Sequence, residues 1–182
     1  MPFSHSFVVP SYNHVRYVGE TIESLLDQQT PGSEIVVSDD GSTDGSREVI
    51  ERYRDRVRIA YPPRRMGMMG NYNHAVSQAT GTWVSLMGSD DKALPGFVTA
   101  VRAAVDEHPE AVLVSGNFQH IDGEGRLLKS EKVLSVRPVA PPPENFHTQL
   151  AAVKVHPAAH AFRKAMWERV GGFDETLHLY GD

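Results

Sequence analysis

Short apolar runs alternate with amphipathic helical patterns along this chain, and this alternation constrains the fold more than any other feature. The runs are too short for helices and are predicted as strands, at residues 7–9, 34–37, 57–60, 82–87 and 111–114. Between them, apolar residues recur at the spacing of one helix face. Such alternation is typical of a parallel sheet covered by helices on both faces. We therefore predict an α/β, three-layer sandwich with a mostly parallel central sheet.

Local signals set the bounds of the predicted helices. The first helix has its apolar face at 18–26 and ends before Pro31-Gly32, while Asp44 is predicted to cap a helix that runs to about residue 55. Pro95 suits the first turn of a further helix. Other predicted elements are a helix with its stripe at 69–79, a hairpin pairing 117–121 with 126–128, a loop at 136–148 and a last helix at 162–170.

Composition excludes several classes of protein. The 182 residues contain no cysteine, so disulfide scaffolds, cysteine zinc sites and thiol nucleophiles are ruled out. A formal charge of −5 argues against a nucleic-acid partner held by bulk charge. No apolar run approaches the length of a transmembrane segment. We expect a cytoplasmic protein, with peripheral attachment to the inner face of the membrane as an alternative.

Acidic pairs follow two of the predicted strands. Asp39-Asp40 come directly after the second strand, and Asp90-Asp91 follow the fourth. In open parallel sheets, ligands bind beyond the carboxyl ends of the strands, so both pairs are expected to line one crevice. One pair is suited to hold a divalent cation that bridges to a diphosphate, and the other can accept hydrogen bonds from a ribose or a base.

A structural role for these segments is the alternative. Asp-Asp-Gly-Ser is also good turn and capping chemistry, and a single such pair is more often structural than functional. Two pairs after separate strands favour a ligand site. The glycine-rich fingerprints of dinucleotide-binding proteins and P-loop kinases are absent from the sequence.

In these segments the chain resembles the family 2 glycosyltransferases of GT-A fold. The resemblance is carried, in order, by VVPSYNHVRYVGETIESLLDQ, IVVSDDGSTDGS, the run from Arg65 through Gly67 and Asn73 to Gly81, LMGSDDKALPG and GGFDETLHLYGD. It implies transfer of a sugar from a nucleotide-sugar donor, with UDP-sugar expected, to a saccharide, lipid-linked or other hydroxyl acceptor. It also implies inversion at the anomeric carbon, Mg²⁺ or Mn²⁺ as cofactor, and a role in bacterial polysaccharide or cell-surface glycan synthesis.

The resemblance assigns roles position by position. Asp91 aligns with the metal ligand of the DxD-like motif, and Asp182 aligns with the general base. The residues expected to bind the nucleotide are Pro10, Tyr12, Asn13, Asp39, Asp40, Arg65 and Asp90. Among these, Asp40 is expected to meet the base, Asp90 to lie near the ribose, and Arg65 to reach the diphosphate or stack on the base.

The chain departs from the family pattern at a few positions. Gly88 stands where many members have an acid, Gly181 replaces the usual Glu before the base, and Asn71-Tyr72 replace an Ala-Arg pair. We expect a truncated catalytic domain, with residues 1–115 binding the nucleotide and 116–182 beginning the acceptor side. His156 and His160 have a zinc-like spacing but lack the glutamate of that motif.

Two further function classes stay open at this point. A non-catalytic nucleotide-sugar binding module remains possible because of Gly88. A sugar-phosphate nucleotidyltransferase is less favoured, because the glycine-rich loop bearing Arg or Lys is missing after the first strand.

Overall fold

Residues 2–129 and 157–176 are described by the computed structural model of the 182-residue chain. Their strands are β1 (His5–Ser11), β2 (Ser33–Asp39), β3 (Arg58–Ala60), β4 (Trp83–Leu86), β5 (Leu113–Ser115), β6 (His120–Ile121), β7 (Leu127–Lys129) and β8 (His160–Arg163). Six of these strands form one sheet in the order β3-β2-β1-β4-β8-β5, while β6 and β7 form a separate antiparallel hairpin. The first four strands in this order, β3, β2, β1 and β4, are mutually parallel, as predicted.

The helices cover both faces of this sheet. They are α1 (Val18–Leu26), α2 (Ser46–Glu51), α3 (Gly67–Gln78), α4 (Phe97–Glu107) and α5 (Lys164–Val170). Apolar side chains of α1, α2 and α4 pack on one face, and those of α3 and α5 pack on the other. The three-layer α/β architecture predicted from the sequence is therefore confirmed.

Side chains of β1 alternate between the two faces of the sheet, so one short apolar run contributes to the core on each face. Successive strand side chains point to opposite faces. Phe7 and Val9 accordingly join the core under α1, while Val8 joins the core under α3. All three are at most 1% exposed, as expected for a central strand of a parallel sheet.

The prediction for the last helix was wrong at its beginning. Residues 160–163 form β8, which pairs antiparallel with β4 on one side and β5 on the other. The helix therefore begins at Lys164, and Val170, predicted to share its apolar stripe, is 76% exposed. Pairing with strands some 50 to 80 residues earlier in the chain leaves no local signature, and it overrides the helical spacing of Phe162 and Met166.

Two other helix bounds also differ from expectation. Helix α2 ends at Glu51 rather than near residue 55, and Asp44 lies two residues before its start, where its Oδ1 accepts the Ser46 N–H at 2.9 Å. Pro95 lies in the turn before α4, because Gly96 takes a left-handed conformation with φ of 86° and delays the helix to Phe97. Turn geometry, rather than propensity, sets both bounds.

The parallel strands bring their carboxyl ends to one edge of the sheet. Ser11 pairs with Asp39 at the ends of β1 and β2, and the Asp40 N–H donates to the Ser11 carbonyl at 2.9 Å. On the other side of β1, the Met87 N–H donates to the Val8 carbonyl at 2.9 Å. Loops bearing the two acidic pairs therefore leave the sheet on either side of β1.

The predicted hairpin is confirmed, with its turn at residues 122–125 between β6 and β7. Its tip contacts the β1–α1 loop, where Arg16 and Glu124 form an exposed ion pair at 3.1 Å. Among residues 2–129 and 157–176, no helix has both the length and the apolarity that a membrane crossing requires.

Buried His5 predicts a pH-dependent stability. Its ring is fully buried, its Nε2 lies 2.9 Å from the Ser85 hydroxyl, and burial lowers its pKa from 6.5 to about 4. The folded state thus keeps His5 neutral where the unfolded chain takes up a proton. Stability is therefore unaffected by His5 above pH 6.5. As the pH falls from 6.5 toward about 4, protonation of His5 in the unfolded chain lowers the free energy of unfolding, by a total near 3 kcal/mol.

Urea unfolding at pH 7, 5.5 and 4 measures this effect, with His5→Phe as the matched variant among the neighbouring rings of Phe3, Phe7 and Phe97. The variant should lose less stability than wild type as the pH falls. Parallel pH dependences for the two proteins would contradict the assignment to His5.

Candidate active site

Loops after β1 and β2 are joined by reciprocal hydrogen bonds. The Asn13 N–H donates to the Ser42 hydroxyl at 2.9 Å, and the Asn13 side-chain oxygen accepts the Thr43 N–H at 2.9 Å. Asn13 has a left-handed φ of 54°, which Asn tolerates better than most residues. Its role in this structure is to fix one loop against the other, at the edge where a nucleoside was predicted.

Tyr12 lies beside Arg65 at the same edge. The guanidinium carbon of Arg65 is 4.1 Å from the centre of the Tyr12 ring, a cation–π distance. Tyr12 is half-buried and Arg65 is exposed, whereas Pro10 pairs with Ser38 at the end of β1. The structure thus brings together Tyr12 and Arg65, two residues predicted for nucleotide binding from separate segments of the chain.

Asp39 is buried and forms an ion pair with the Arg47 side chain. Only 1% of the residue is exposed, and its Oδ2 accepts the Arg47 Nε–H at 3.2 Å. The Arg47 guanidinium also lies over the Tyr61 ring, 4.3 Å from its centre. The Ser42 N–H also donates to the two oxygens of this carboxylate, at 3.4 Å to Oδ1 and 3.3 Å to Oδ2, so Asp39 holds the loop after β2.

Asp40 uses both carboxylate oxygens on the start of α3. Oδ1 accepts the Met66 N–H at 2.7 Å, and Oδ2 accepts the Gly67 N–H at 2.9 Å. The residue is 3% exposed. These bonds satisfy N–H groups that a helix start leaves unpaired, and the negative charge suits the helix N-terminus. Asp40 therefore links the end of β2 to α3, a role that the sequence reasoning missed.

Replacing Asp40 by Ala should destabilise the protein. Two partly buried N–H groups would lose a charged acceptor, so we expect the free energy of unfolding to fall by about 1.5–3 kcal/mol. Asp40→Asn, which keeps one acceptor oxygen, should show a smaller loss. Urea unfolding measures both changes, and Asp106→Ala on the exposed face of α4 is the control. A midpoint for Asp40→Ala equal to that of the control would refute the role.

The buried side of α3 is held by a polar network. The Ser38 hydroxyl donates to Asn71 Oδ1 at 2.6 Å and lies 3.1 Å from His74 Nδ1. Asn71 also donates to the Ser38 carbonyl at 3.1 Å. Burial lowers the pKa of His74, and the charge of Asp40 partly opposes that effect. The network fixes the side of α3 that borders the strand ends.

The second acidic pair lies on a tight turn after β4. The Asp91 N–H donates to the Gly88 carbonyl at 3.1 Å, and Ser89 inside the turn is 2% exposed. The Ser89 hydroxyl lies 2.6 Å from His14 Nδ1, which ties this turn to the β1–α1 loop. His14 and Ser89 both belong to predicted strand-end segments, but their pairing could not be read from the sequence.

Carboxylate oxygens of this pair converge above Gly88. A Cβ built on Gly88 would lie 2.7 Å from Asp91 Oδ2 and 2.9 Å from Asp90 Oδ1. Asp90 is exposed, and Asp91 is half-buried. The two oxygens therefore border one small space at the end of β4.

Tyr72 on α3 faces the same pair. Burial raises the pKa of its hydroxyl, and the negative charges of Asp91 and Asp90 raise it further. The Tyr72 ring also packs against Phe173, with ring centres 5.9 Å apart. Helix α3 is thus held at its start by Asp40, and it carries a tyrosine on which the charges of Asp90 and Asp91 act.

Asn73, the next residue of α3, holds the segment after α5. Its side chain accepts the Phe173 N–H at 2.8 Å and donates to the Phe173 carbonyl at 2.9 Å. Its amide also donates to Glu175 at 3.0 Å. The start of the GGFDET segment is therefore anchored beside Tyr72.

The Asp90–Asp91 pair fits a hard divalent cation by its chemistry and its convergence. Carboxylate oxygens are the ligands that Mg²⁺ and Mn²⁺ prefer, and two of them border the space above Gly88. Among the residues that the structure describes, no group of three or more His, Asp or Glu side chains could hold a metal ion. A cation here would need further ligands from a bound diphosphate or from water.

Some predicted residues cannot be placed. Asp182 and His156 lie outside the described residues, so the general base assigned from the resemblance stays a prediction. His160 lies in β8, where its ring stacks on that of Phe162 with centres 5.9 Å apart.

The sequence of this chain is similar to those of known glycosyltransferases. The sequence profile described as Glycosyl transferase family 2 matches residues 6–171. A putative teichuronic acid biosynthesis glycosyltransferase, TuaG of Bacillus subtilis, is 37% identical over 90 residues, which cover 48% of this chain and 36% of TuaG. The glycosyltransferase GlyG of Streptococcus pneumoniae is 32% identical over 125 residues, which cover 67% of this chain and 42% of GlyG.

Solved structures share the fold. The Staphylococcus aureus TarS fragment 1–349 in complex with UDP superposes with a TM-score of 0.75 and 24% identity, covering 97% of this chain and 52% of that one. The mannosyltransferase PcManGT of Pyrobaculum calidifontis, in complex with GDP-Man and Mn²⁺, gives a TM-score of 0.71 and 20% identity, covering 97% of this chain and 49% of that one. The chain thus spans less than half the length of the curated relatives named here.

Proposed function

Because this chain belongs to glycosyl transferase family 2, we propose that it is the donor-binding part of an inverting glycosyltransferase. In this proposal it carries a sugar from a nucleotide-diphosphate sugar to an acceptor hydroxyl in bacterial cell-surface glycan synthesis. The observation that carries the proposal is that the loops bearing the two acidic pairs leave the sheet on either side of β1, at the edge where the strands end.

The two sides of the crevice suit the two ends of a nucleotide sugar. Tyr12 offers an aromatic face that suits a base, and Asp39, at the neighbouring strand end, is the proposed acceptor for its N–H or ribose hydroxyl groups. Asp90 and Asp91 lie at the end of β4, where the diphosphate would meet a cation. UDP-sugar is the proposed donor, and the TarS structures with UDP and UDP-GlcNAc support it.

Asp91 is the proposed ligand of Mg²⁺ or Mn²⁺, with Asp90 beside it. A divalent cation, when bound there, supplies positive charge that stabilises the diphosphate leaving group. The Mn²⁺ in the PcManGT complex supports this choice of metal.

Transfer requires one bond to form as another breaks. The acceptor oxygen bonds to the anomeric carbon from the face opposite the diphosphate, the carbon–diphosphate bond breaks, and the acceptor proton passes to a carboxylate. Asp182 is the proposed base. It follows in sequence the segment that Asn73 anchors beside Tyr72.

A thermal-shift panel tests donor binding. Ligands that bind the folded state raise the unfolding midpoint by mass action. UDP-sugars with Mn²⁺ should raise the midpoint more than dTDP- or GDP-sugars, and more than UDP-sugars in EDTA. Uridine and pyrophosphate, each with Mn²⁺, are the matched controls for the two halves of the ligand. A midpoint that no nucleotide sugar raises above these controls would overturn the proposal.

A non-catalytic nucleotide-sugar binding module is the second candidate, and Gly88 favours it because many family members have an acid there. Donor hydrolysis by the full-length protein separates the two candidates, since a binding module would bind the donor without consuming it. The family assignment favours sugar transfer over nucleotidyl transfer. We also propose a cytoplasmic location, with a saccharide or lipid-linked acceptor.

A further inference from the structure

We propose that His14 is a positioning residue, which holds the proposed cation site in a fixed place relative to the proposed nucleoside site. His14 lies in the loop after β1 that also bears Tyr12. Its ring contacts Ser89, the residue before the Asp90–Asp91 pair. This role rests on the proposed function and deepens it, because it names a contact that aligns the two halves of the donor site.

The backbone around His14 is held by the loop after β2. The His14 N–H donates to the Ser46 hydroxyl at 2.8 Å, and the Val15 N–H donates to Asp44 Oδ2 at 3.0 Å. The Ser46 hydroxyl in turn donates to Asp44 Oδ1 at 2.5 Å, and Ser46 is fully buried at the start of α2. The His14 side chain therefore begins from a point that is fixed relative to the loop after β2.

The ring of His14 reaches from this point to the turn after β4. Its Nδ1 lies 2.6 Å from the Ser89 hydroxyl, although the two residues are 75 positions apart in the sequence. Ser89 is 2% exposed, so bulk water has little access to replace a lost partner of its hydroxyl. His14 thus joins the loops that follow β1, β2 and β4.

The turn after β4 transmits this constraint to the acidic pair. Its backbone closes through the Asp91 N–H, which donates to the Gly88 carbonyl at 3.1 Å, and Ser89 lies inside the closed turn. Holding Ser89 therefore limits how far the turn can move relative to the sheet. A nucleoside diphosphate would contact both proposed sites at once, so its affinity depends on their alignment before it binds.

His14→Ala removes the ring and keeps the backbone bonds to the loop after β2. We expect UDP affinity in Mn²⁺ to fall about 10-fold, the lower end of the range for groups that orient metal ligands. The affinities for UDP in EDTA and for uridine should stay near wild type, because the nucleoside site keeps its contacts. His14→Asn should restore most of the loss, since Asn Oδ1 is bonded to Cγ, as His Nδ1 is, and can accept from the Ser89 hydroxyl.

Ser89→Ala tests whether His14 acts through this contact. Alone, it should reproduce the loss of Mn²⁺-dependent affinity. Combined with His14→Ala, it should cause no further loss, because the partner is already absent. Fully additive losses in the double variant would overturn the route through Ser89. His108→Ala is the matched control, because His108 is a half-exposed histidine at the end of α4.

Isothermal titration of UDP in Mn²⁺ and in EDTA, at a temperature where every variant is folded, gives these comparisons. If Mn²⁺ strengthens UDP binding equally in wild type and His14→Ala, the positioning role is wrong and the proposed function stands. An equal loss with and without Mn²⁺ would also overturn the role, because the nucleoside site itself would then be affected. If wild type shows no Mn²⁺-dependent UDP binding, the proposed cation site and the role of His14 fall together.

Discussion

Asp91→Asn is expected to abolish the enhancement of UDP binding by Mn²⁺ while leaving the fold unchanged. The substitution keeps the shape of the side chain and one carbonyl oxygen but removes the negative charge that a hard cation requires. Asp91 lies at the end of β4, with its Oδ2 in the space above Gly88 and its charge acting on Tyr72. A loss in UDP affinity of roughly 10–100-fold in Mn²⁺, and none in EDTA, follows from this placement.

Isothermal titration of UDP into wild type and variant gives the comparison. Asp106→Asn is the control, because Asp106 is an exposed residue of α4 whose ion pair with Arg102 has an N–O distance of 3.8 Å. Equal Mn²⁺ dependence in wild type and Asp91→Asn would show that Asp91 is not the cation ligand.

Asp182→Asn is expected to reduce the rate of sugar transfer by roughly 10²–10⁴-fold, the usual contribution of a general base. A base acts on the acceptor, so donor affinity should change little. Asp182 follows in sequence the segment in which Asn73 holds Phe173 beside Tyr72, a side chain on which the charges of Asp90 and Asp91 act.

Transfer kinetics on the full-length enzyme test the assignment. The change should appear in kcat, with the dissociation constant of the donor preserved. Asp174→Asn is the control from the same segment, since its carboxylate is exposed and bonds locally to Thr176 at 2.9 Å. A transfer rate for Asp182→Asn near that of wild type would mean that another group takes the proton.

The sequence predicted those parts of the fold that depend on local pattern. Continuous apolar runs identified β1, β2 and β4, because central strands of a parallel sheet are buried on both faces. The strand β8 could not be predicted, since its pairing with β4 and β5 depends on contacts far along the chain. The start of α4 was missed for a smaller reason, the left-handed turn at Gly96.

In the candidate site, too, local features could be predicted from the sequence and long-range contacts could not. Position after a strand was enough to bring both acidic pairs to one edge of the sheet, as topology requires. It did not reveal that Asp40 holds the start of α3, because the Met66 and Gly67 N–H groups lie 26 and 27 residues away in sequence.

The central claim is that the edge where β1, β2 and β4 end binds a nucleotide sugar through a cation. A crystal structure of the protein with UDP and Mn²⁺ tests it most directly. The account predicts the base at Tyr12 and Asp39, and the diphosphate with Mn²⁺ at Asp91. UDP bound elsewhere on the protein, or bound at this edge with Mn²⁺ away from Asp91, would contradict it.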